Sequence, residues 1–146
     1  MIDCIILVGG QGTRLKEVIE HLPKPLASIN GMPFLDILLK QVAKIPEIAQ
    51  IILAVGYEAT LIMKRYQGSP NLLFSIEENP LGTGGALKKA LTLSSSENVL
   101  VLNGDSYIDF SFTELYKIHT ANQADITVTY TQIQEPARYG SLHVEK

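Results

Sequence analysis

Apolar runs rich in β-branched residues recur along the chain as "IDCIILV" (2–8), "IILAV" (51–55), "LLFSI" (72–76), "NVLVLN" (98–103), "DITVTYT" (125–131) and "GSLHV" (140–144). Their length and composition predict strands. Between them, apolar residues return at helical spacing. In "PFLDILLKQVAKI" (33–45), Phe34, Leu38, Val42 and Ile45 fall on one face after Pro33 opens the first turn. "EATLIMKRY" (58–66) is the next helix. "TGGALKKALTL" (83–93) follows with Thr83 as its candidate N-cap, and "SFTELYKIH" (111–119) carries Ser111 and Glu114 at capping-box spacing. The order is βαβαβαβαβ, with no internal repeat. Strands this continuously apolar, separated by helices, predict an α/β fold: a Rossmann-like, doubly wound, mainly parallel sheet with helices on both faces. Such sheets bind ligands outside the carboxyl ends of the strands, where strand order reverses. Two loops leave strand ends conspicuously, "GGQGTRL" after the first run and "NGDSYID" after the fourth. If the first and fourth strands are neighbours, these loops share one crevice.

A chain of 146 residues supports one core, so residues 1–146 are read as a single domain. Hydrophobic residues at 46% and charged residues at 18% are ordinary globular usage, so the chain is expected to fold. A formal charge of −3 and a pI near 5.6 argue against general affinity for nucleic acid, which needs a basic face to displace counterions. Cys4 is the only cysteine, so no intramolecular disulfide is available, and a buried, reduced thiol fits the cytoplasm. No basic stretch precedes the first apolar run, and no run approaches the roughly 20 residues that span a bilayer. Neither export nor membrane insertion is indicated.

Gly9, Gly10 and Gly12 permit positive φ and close approach of the backbone to a ligand, and the N–H groups of the loop suit phosphate oxygens. The loop is not a Walker A sequence, because Gly12 is followed by Thr13 and Arg14 rather than Lys-Ser/Thr. It also fails the dinucleotide fingerprint, since Leu15 stands at the third glycine position. On glycines alone, a tight strand-to-helix turn explains it equally well. The neighbouring cations shift that balance. Arg14 presents a planar fork of donors to phosphate, and Lys24 lies between Pro23 and Pro25, whose rings bias the backbone toward an extended course. Read in isolation, "LPKPL" is a surface connector and Asp105 a turn aspartate after Gly104.

Taken together, "GGQGTRL" and "PKP" resemble the signature of sugar-1-phosphate nucleotidylyltransferases, the nucleotide sugar pyrophosphorylases. The likeness continues through "PFLDILLKQV", "EENPLGTGGALKKAL", "LNGDSYID" and "RYG". Within the family, "LPKPLASINGMPFL" and "PLGTGGAL" are most similar to the heptose-1-phosphate and mannose-1-phosphate guanylyltransferases. The resemblance implies the nucleotide-diphospho-sugar transferase fold. It implies nucleotidyl transfer from a nucleoside triphosphate, GTP first, to a sugar 1-phosphate, with release of pyrophosphate. In that reaction Arg14, Lys24 and Asp105 would be catalytic, with Asp105 holding Mg²⁺. Leu7, Gly9, Gly10, Gly12, Thr13, Arg14, Lys24, Glu78, Gly82, Thr83 and Asn103 would bind the nucleotide, Glu78 accepting from the base, and Gly140 would approach the sugar.

Relatives of this kind normally continue beyond the point matching "SLHVEK", and the continuation carries a second metal-binding carboxylate. The resemblance therefore reads residues 1–146 as the N-terminal, nucleotide-binding portion of the catalytic domain, whose last strand leaves an edge open to another copy of the chain. Three alternatives remain beside this reading: a catalytically silent nucleotide-binding module, a uridylyl- or thymidylyltransferase acting on a hexose 1-phosphate, and a nicotinamide-dependent oxidoreductase. Leu15 weighs against the last of these, as does the lack of an acidic residue after "IILAVGY" before Glu58. His21, His119 and His143 lack metal-ligand spacing, and no "GxSxG" elbow is present.

Overall fold

In the computed structural model, which describes residues 1–10 and 22–132, Ile2 through Ile6 are buried without a break. A strand points alternate side chains to opposite faces, so this unbroken burial requires cover on both sides of the sheet. The strand is β1 (Ile2–Leu7). It pairs in parallel with β4 (Ile48–Val55) on one side and β6 (Val99–Asn103) on the other, and β5 (Leu72–Ile76) pairs in parallel with β4. The order β5-β4-β1-β6 reverses between β1 and β6, as expected for a doubly wound sheet. The loops after "IDCIILV" and "NVLVLN" therefore leave adjacent strand ends.

Among the described residues, three α-helices accompany this sheet: α1 (Phe34–Val42), α2 (Ala59–Tyr66) and α3 (Gly82–Leu91). Ala86 and Ala90 of α3 pack on Ile5, Ile52 and Ala54, and the small alanines let the helix lie close to the sheet. Leu35, Leu38 and Val42 bury the apolar face of α1. That helix ends before the expected Ile45. Lys44 and Ile45 donate to the carbonyls of Gln41 and Val42 in tightened turns, and Pro46 disfavours helical backbone at the residue before it. Thr83 is not the N-cap of α3. Leu81 occupies that position with no side-chain cap, and its N–H donates instead to Glu77 Oε2 at 3.0 Å.

Two further departures lie between β1 and α1. The proline-flanked Lys24 is not extended: Lys24–Leu26 form one 3-10 turn, closed by Leu26 N–H to the Pro23 carbonyl at 2.8 Å and Ala27 N–H to the Lys24 carbonyl at 3.0 Å. Pro25 fits inside that turn because its fixed φ is helix-compatible and the turn asks no N–H of it. A hairpin then follows, β2 (Ser28–Ile29) and β3 (Met32–Pro33), turned by Asn30 (φ 51°) and Gly31 (φ 83°), the left-handed pair that matches strand twist.

At the amino end of the sheet Asp3 is 1% exposed. Its Oδ2 accepts from Ser94 Oγ at 2.6 Å, Gln50 Nε2 at 3.1 Å and Ser95 N–H at 3.2 Å. Burial opposes the charge, but the bonds from Ser94, Gln50, Ser96 and Ser95 outweigh it and hold the carboxyl below its ordinary pKa. Cys4 is a free, buried thiol whose pKa burial pushes up to about 12.

The chain divides into two compact units, Met1–Ile108 and Asp109–Lys146. In the second, α4 (Phe112–Ala121) begins as expected, with Ser111 Oγ accepting from the Glu114 N–H at 3.3 Å. Residues 125–131 are not a strand, contrary to their alternating pattern; Ile126, Val128 and Tyr130 are 80%, 60% and 66% exposed. A strand is held by its ladder, and among the described residues none pairs with this segment. The last expected strand, 140–144, lies outside the described residues. No described helix is long and apolar enough to cross a membrane.

Candidate functional site

At the carboxyl end of β1 the backbone is packed too closely for side chains. A Cβ on Gly9 would stand 2.8 Å from Glu77 Oε1 and 3.3 Å from the Gly56 nitrogen, and one on Gly56 would stand 3.1 Å from the Gly9 oxygen. Neither Gly9 nor Gly10 adopts positive φ. The freedom expected of these glycines is thus not what Gly9 uses; it lets the ends of β1 and β4 touch. No atom of the described residues beyond its chain neighbours would lie within 4 Å of a Cβ on Gly10. Gly104 is tighter still: its N–H donates to the Leu7 carbonyl at 2.8 Å, and an added Cβ would meet Val8 Cγ1 at 2.4 Å.

These close contacts bring Leu7, Gly9, Gly10, Asn103 and Asp105 to one cleft of about 590 Å³, whose other walls include Lys24, Glu78, Gly82 and Thr83. The volume is in the range of small-molecule and cofactor sites. Every expected site residue within the described part of the chain therefore lines it. Gly12, Thr13, Arg14 and Gly140 lie outside the described residues. Gly56, Tyr57 and Glu77 also line the cleft and were not singled out from the sequence.

Lys24 and Asp105, 81 positions apart, meet across the cleft with Lys24 Nζ 2.6 Å from Asp105 Oδ2. The other carboxylate oxygen accepts from Ser106 Oγ at 3.1 Å. The ammonium holds the Asp105 carboxyl below the usual carboxylate range against the opposing effect of desolvation, with Ser106 assisting. Both side chains keep contact with solvent, at 32% and 46% exposure, so the pair contributes roughly 1 kcal/mol or less to stability. It is easily opened by a ligand that offers each partner an opposite charge. Among the described residues no cluster of three or more His, Cys, Asp or Glu could hold a metal by itself.

The glycines at the start of α3 divide by function. Gly82 has φ +69°, a conformation that L side chains resist, while a Cβ on Gly85 would stand 2.7 Å from Leu81 Cβ. Gly85 thus has a packing reason that the sequence alone had left open. Gly84 meets nothing within 4 Å.

A family model described as Nucleotidyl transferase matches residues 3–146. The D-glycero-alpha-D-manno-heptose 1-phosphate guanylyltransferase of Aneurinibacillus thermoaerophilus is 40% identical over 96% of this chain and 62% of its own length. The mannose-1-phosphate guanyltransferase of Yarrowia lipolytica is 37% identical over 94% of this chain and 40% of its own. Among solved structures, HddC from Yersinia pseudotuberculosis complexed with GMP-PN aligns with TM-score 0.72 and 36% identity, covering 82% of this chain and 54% of that one. The chain thus spans from two fifths to just under two thirds of the length of these three proteins.

Proposed function

Because the chain belongs to the nucleotidyl transferase family, we propose that its cleft binds a nucleoside triphosphate, GTP by preference, for transfer to a sugar 1-phosphate of the heptose or mannose type. The carrying observation is the meeting of Lys24 and Asp105 beside the glycine turn, at the point where strand order reverses. An oxygen of the sugar phosphate attacks the α-phosphorus, the bond to the bridging oxygen breaks, and pyrophosphate leaves. Such a reaction asks for alignment and for compensation of shifting negative charge. Lys24 supplies a positive charge at the reacting phosphates, Gly10 lets the backbone approach the departing pair, and Gly9, by letting the ends of β1 and β4 touch, sets where that backbone lies. Arg14, Gly12 and Thr13 take the same phosphates in this reading, and Gly140 the sugar. Glu78, exposed at the rim of the cleft, accepts from the guanine edge, while Gly82 and Thr83 bring backbone to the base.

Asp105 suits a divalent ion. It is a hard oxygen ligand at the cleft wall, and it already accepts a cation, the Lys24 ammonium, on one oxygen. A single carboxylate fits Mg²⁺ only with nucleotide phosphates completing the shell, which is the usual Mg²⁺ arrangement. When bound, the ion would neutralise phosphate charge. The preference for GTP rests on the guanylyltransferase names of the relatives and on the GMP-PN bound to HddC. A buried, reduced thiol at Cys4 supports a cytoplasmic setting. The test is a panel of four nucleoside triphosphates against heptose and mannose 1-phosphates, with Mg²⁺-dependent pyrophosphate release as readout. GTP with one of these sugars is expected to lead. Clear preference for UTP or dTTP refutes the assignment of the base.

A further inference from the structure

Glu77 plays no part in the scheme above, yet its side chain sits where the two halves of the cleft meet. Its own N–H donates to the Val55 carbonyl at 2.8 Å, carrying the β4–β5 ladder one residue beyond the strand. Its Oε2 accepts the Leu81 N–H at 3.0 Å, closing the turn that leads into Gly82 and Thr83. Its Oε1 lies against Gly9, in the space a Cβ at that position would need. One half-buried carboxylate thus touches both the glycine turn and the segment that opens α3.

We infer that Glu77 is a positioning residue that fixes the base-facing segment relative to the phosphate-facing turn, acting through the reach of its side chain rather than through its charge. The inference rests on the nucleotide reading of the cleft. Leu81 has no side-chain cap, so the Glu77 oxygen takes that place in ordering the start of α3. Gly82 follows at once with φ +69°, a backbone state that glycine permits but does not select. Losing the Glu77 bond frees the turn before it. The nucleoside half of a ligand should then bind less well while its phosphate half is held as before.

The experiment compares GTP with inorganic tripolyphosphate, each displacing a fluorescent GTP analogue from this chain, in the unaltered protein and in Glu77→Ala, Glu77→Asp and Glu77→Gln. Glutamine keeps the reach and an acceptor oxygen; aspartate keeps the charge and loses the reach. Glu77→Ala and Glu77→Asp should each weaken GTP by about tenfold, the effect of one hydrogen bond on a ligand-binding segment, and leave tripolyphosphate within about twofold. Glu77→Gln should bind GTP within about threefold of the unaltered chain. Equal weakening of both ligands overturns the inference, as does unchanged GTP binding in Glu77→Ala. The reverse order, with aspartate tolerated and glutamine not, overturns it too, because charge would then be the active property. If Glu77→Ala does not fold, the ordering of the Asp and Gln variants decides alone. Failure of the unaltered chain to bind GTP at all defeats the nucleotide reading, and this inference with it.

Discussion

Replacing Gly104 with alanine tests whether the cleft is built by backbone contact. The added Cβ would lie 2.6 Å from the Leu7 carbonyl oxygen, where ordinary contact begins at 3.4 Å, so it falls about 0.8 Å short of the room it needs. The oxygen cannot yield by rotating a side chain. Val8, whose Cγ1 would be 2.4 Å away, is 2% exposed and has little freedom to turn. Relief requires the end of β6 to move off β1, which strains the Gly104 N–H bond to Leu7. Overpacking of this kind costs about 1–3 kcal/mol and a lost hydrogen bond about 1 more. A loss of about 2–4 kcal/mol follows, or a Tm lowered on the order of 10 °C for a chain of this size. Urea unfolding followed by circular dichroism measures it, with Gly84→Ala as the comparison. Gly84 is helical with open space around it, so alanine there should stabilise by roughly 0.5–1 kcal/mol. A Gly104→Ala variant within about 0.5 kcal/mol of the parent would refute the reasoning.

Three further outcomes are expected. Lys24→Ala should lower kcat for pyrophosphate release by about 10²-fold or more, the scale for loss of one charge-stabilising group, and near-normal turnover would remove its role. Asp3 has a folded pKa below its unfolded value near 3.9, so its contribution is complete above about pH 4 and fades as pH falls through the folded value. Asp3→Asn should therefore lose about 1–3 kcal/mol at neutral pH, with a gap from the parent that closes on acidification; a gap constant down to about pH 2 would contradict this. Cys4, buried and with its pKa raised to about 12, should resist iodoacetamide until the chain unfolds, and rapid alkylation of the native protein would show the packing to be wrong.

The strands of the parallel sheet were legible as short, continuously apolar runs and the faces of its helices as a local period: Leu38 and Val42 of α1 are buried as their spacing requires. The Ser28–Pro33 hairpin was legible too, in its Asn30-Gly31 pair, but went unread between two stronger signals. Residues 125–131 had the right alternation and formed no strand, since a period describes a surface and not the partner that must pair with it. Glu77 was passed over in favour of its neighbour Glu78. The sequence parity of β5 does not separate them, because Leu72, Phe74 and Ile76 put Glu78 on the more apolar side, whereas in the structure Ser75 is buried and Glu77 half-buried while Ile76 and Glu78 are exposed. The meeting of Lys24 with Asp105 was implied only by resemblance, because nothing local in either segment records a contact across 81 residues.

β1 carries two unrelated duties at its two ends. Asp3 and Leu7 are four positions apart, about 13 Å along an extended strand, with an apolar stretch between them. Among the described residues, the Asp3 end anchors the turn at Ser94 and Ser95 and is not among those that line the cleft, whereas the Leu7 end lines it and joins no ion pair. Laboratory evolution can therefore treat tolerance of acid and choice of ligand as separate traits of this chain, by drawing libraries around Gln50 and Ser94 for one and around Gly56, Tyr57 and Glu78 for the other.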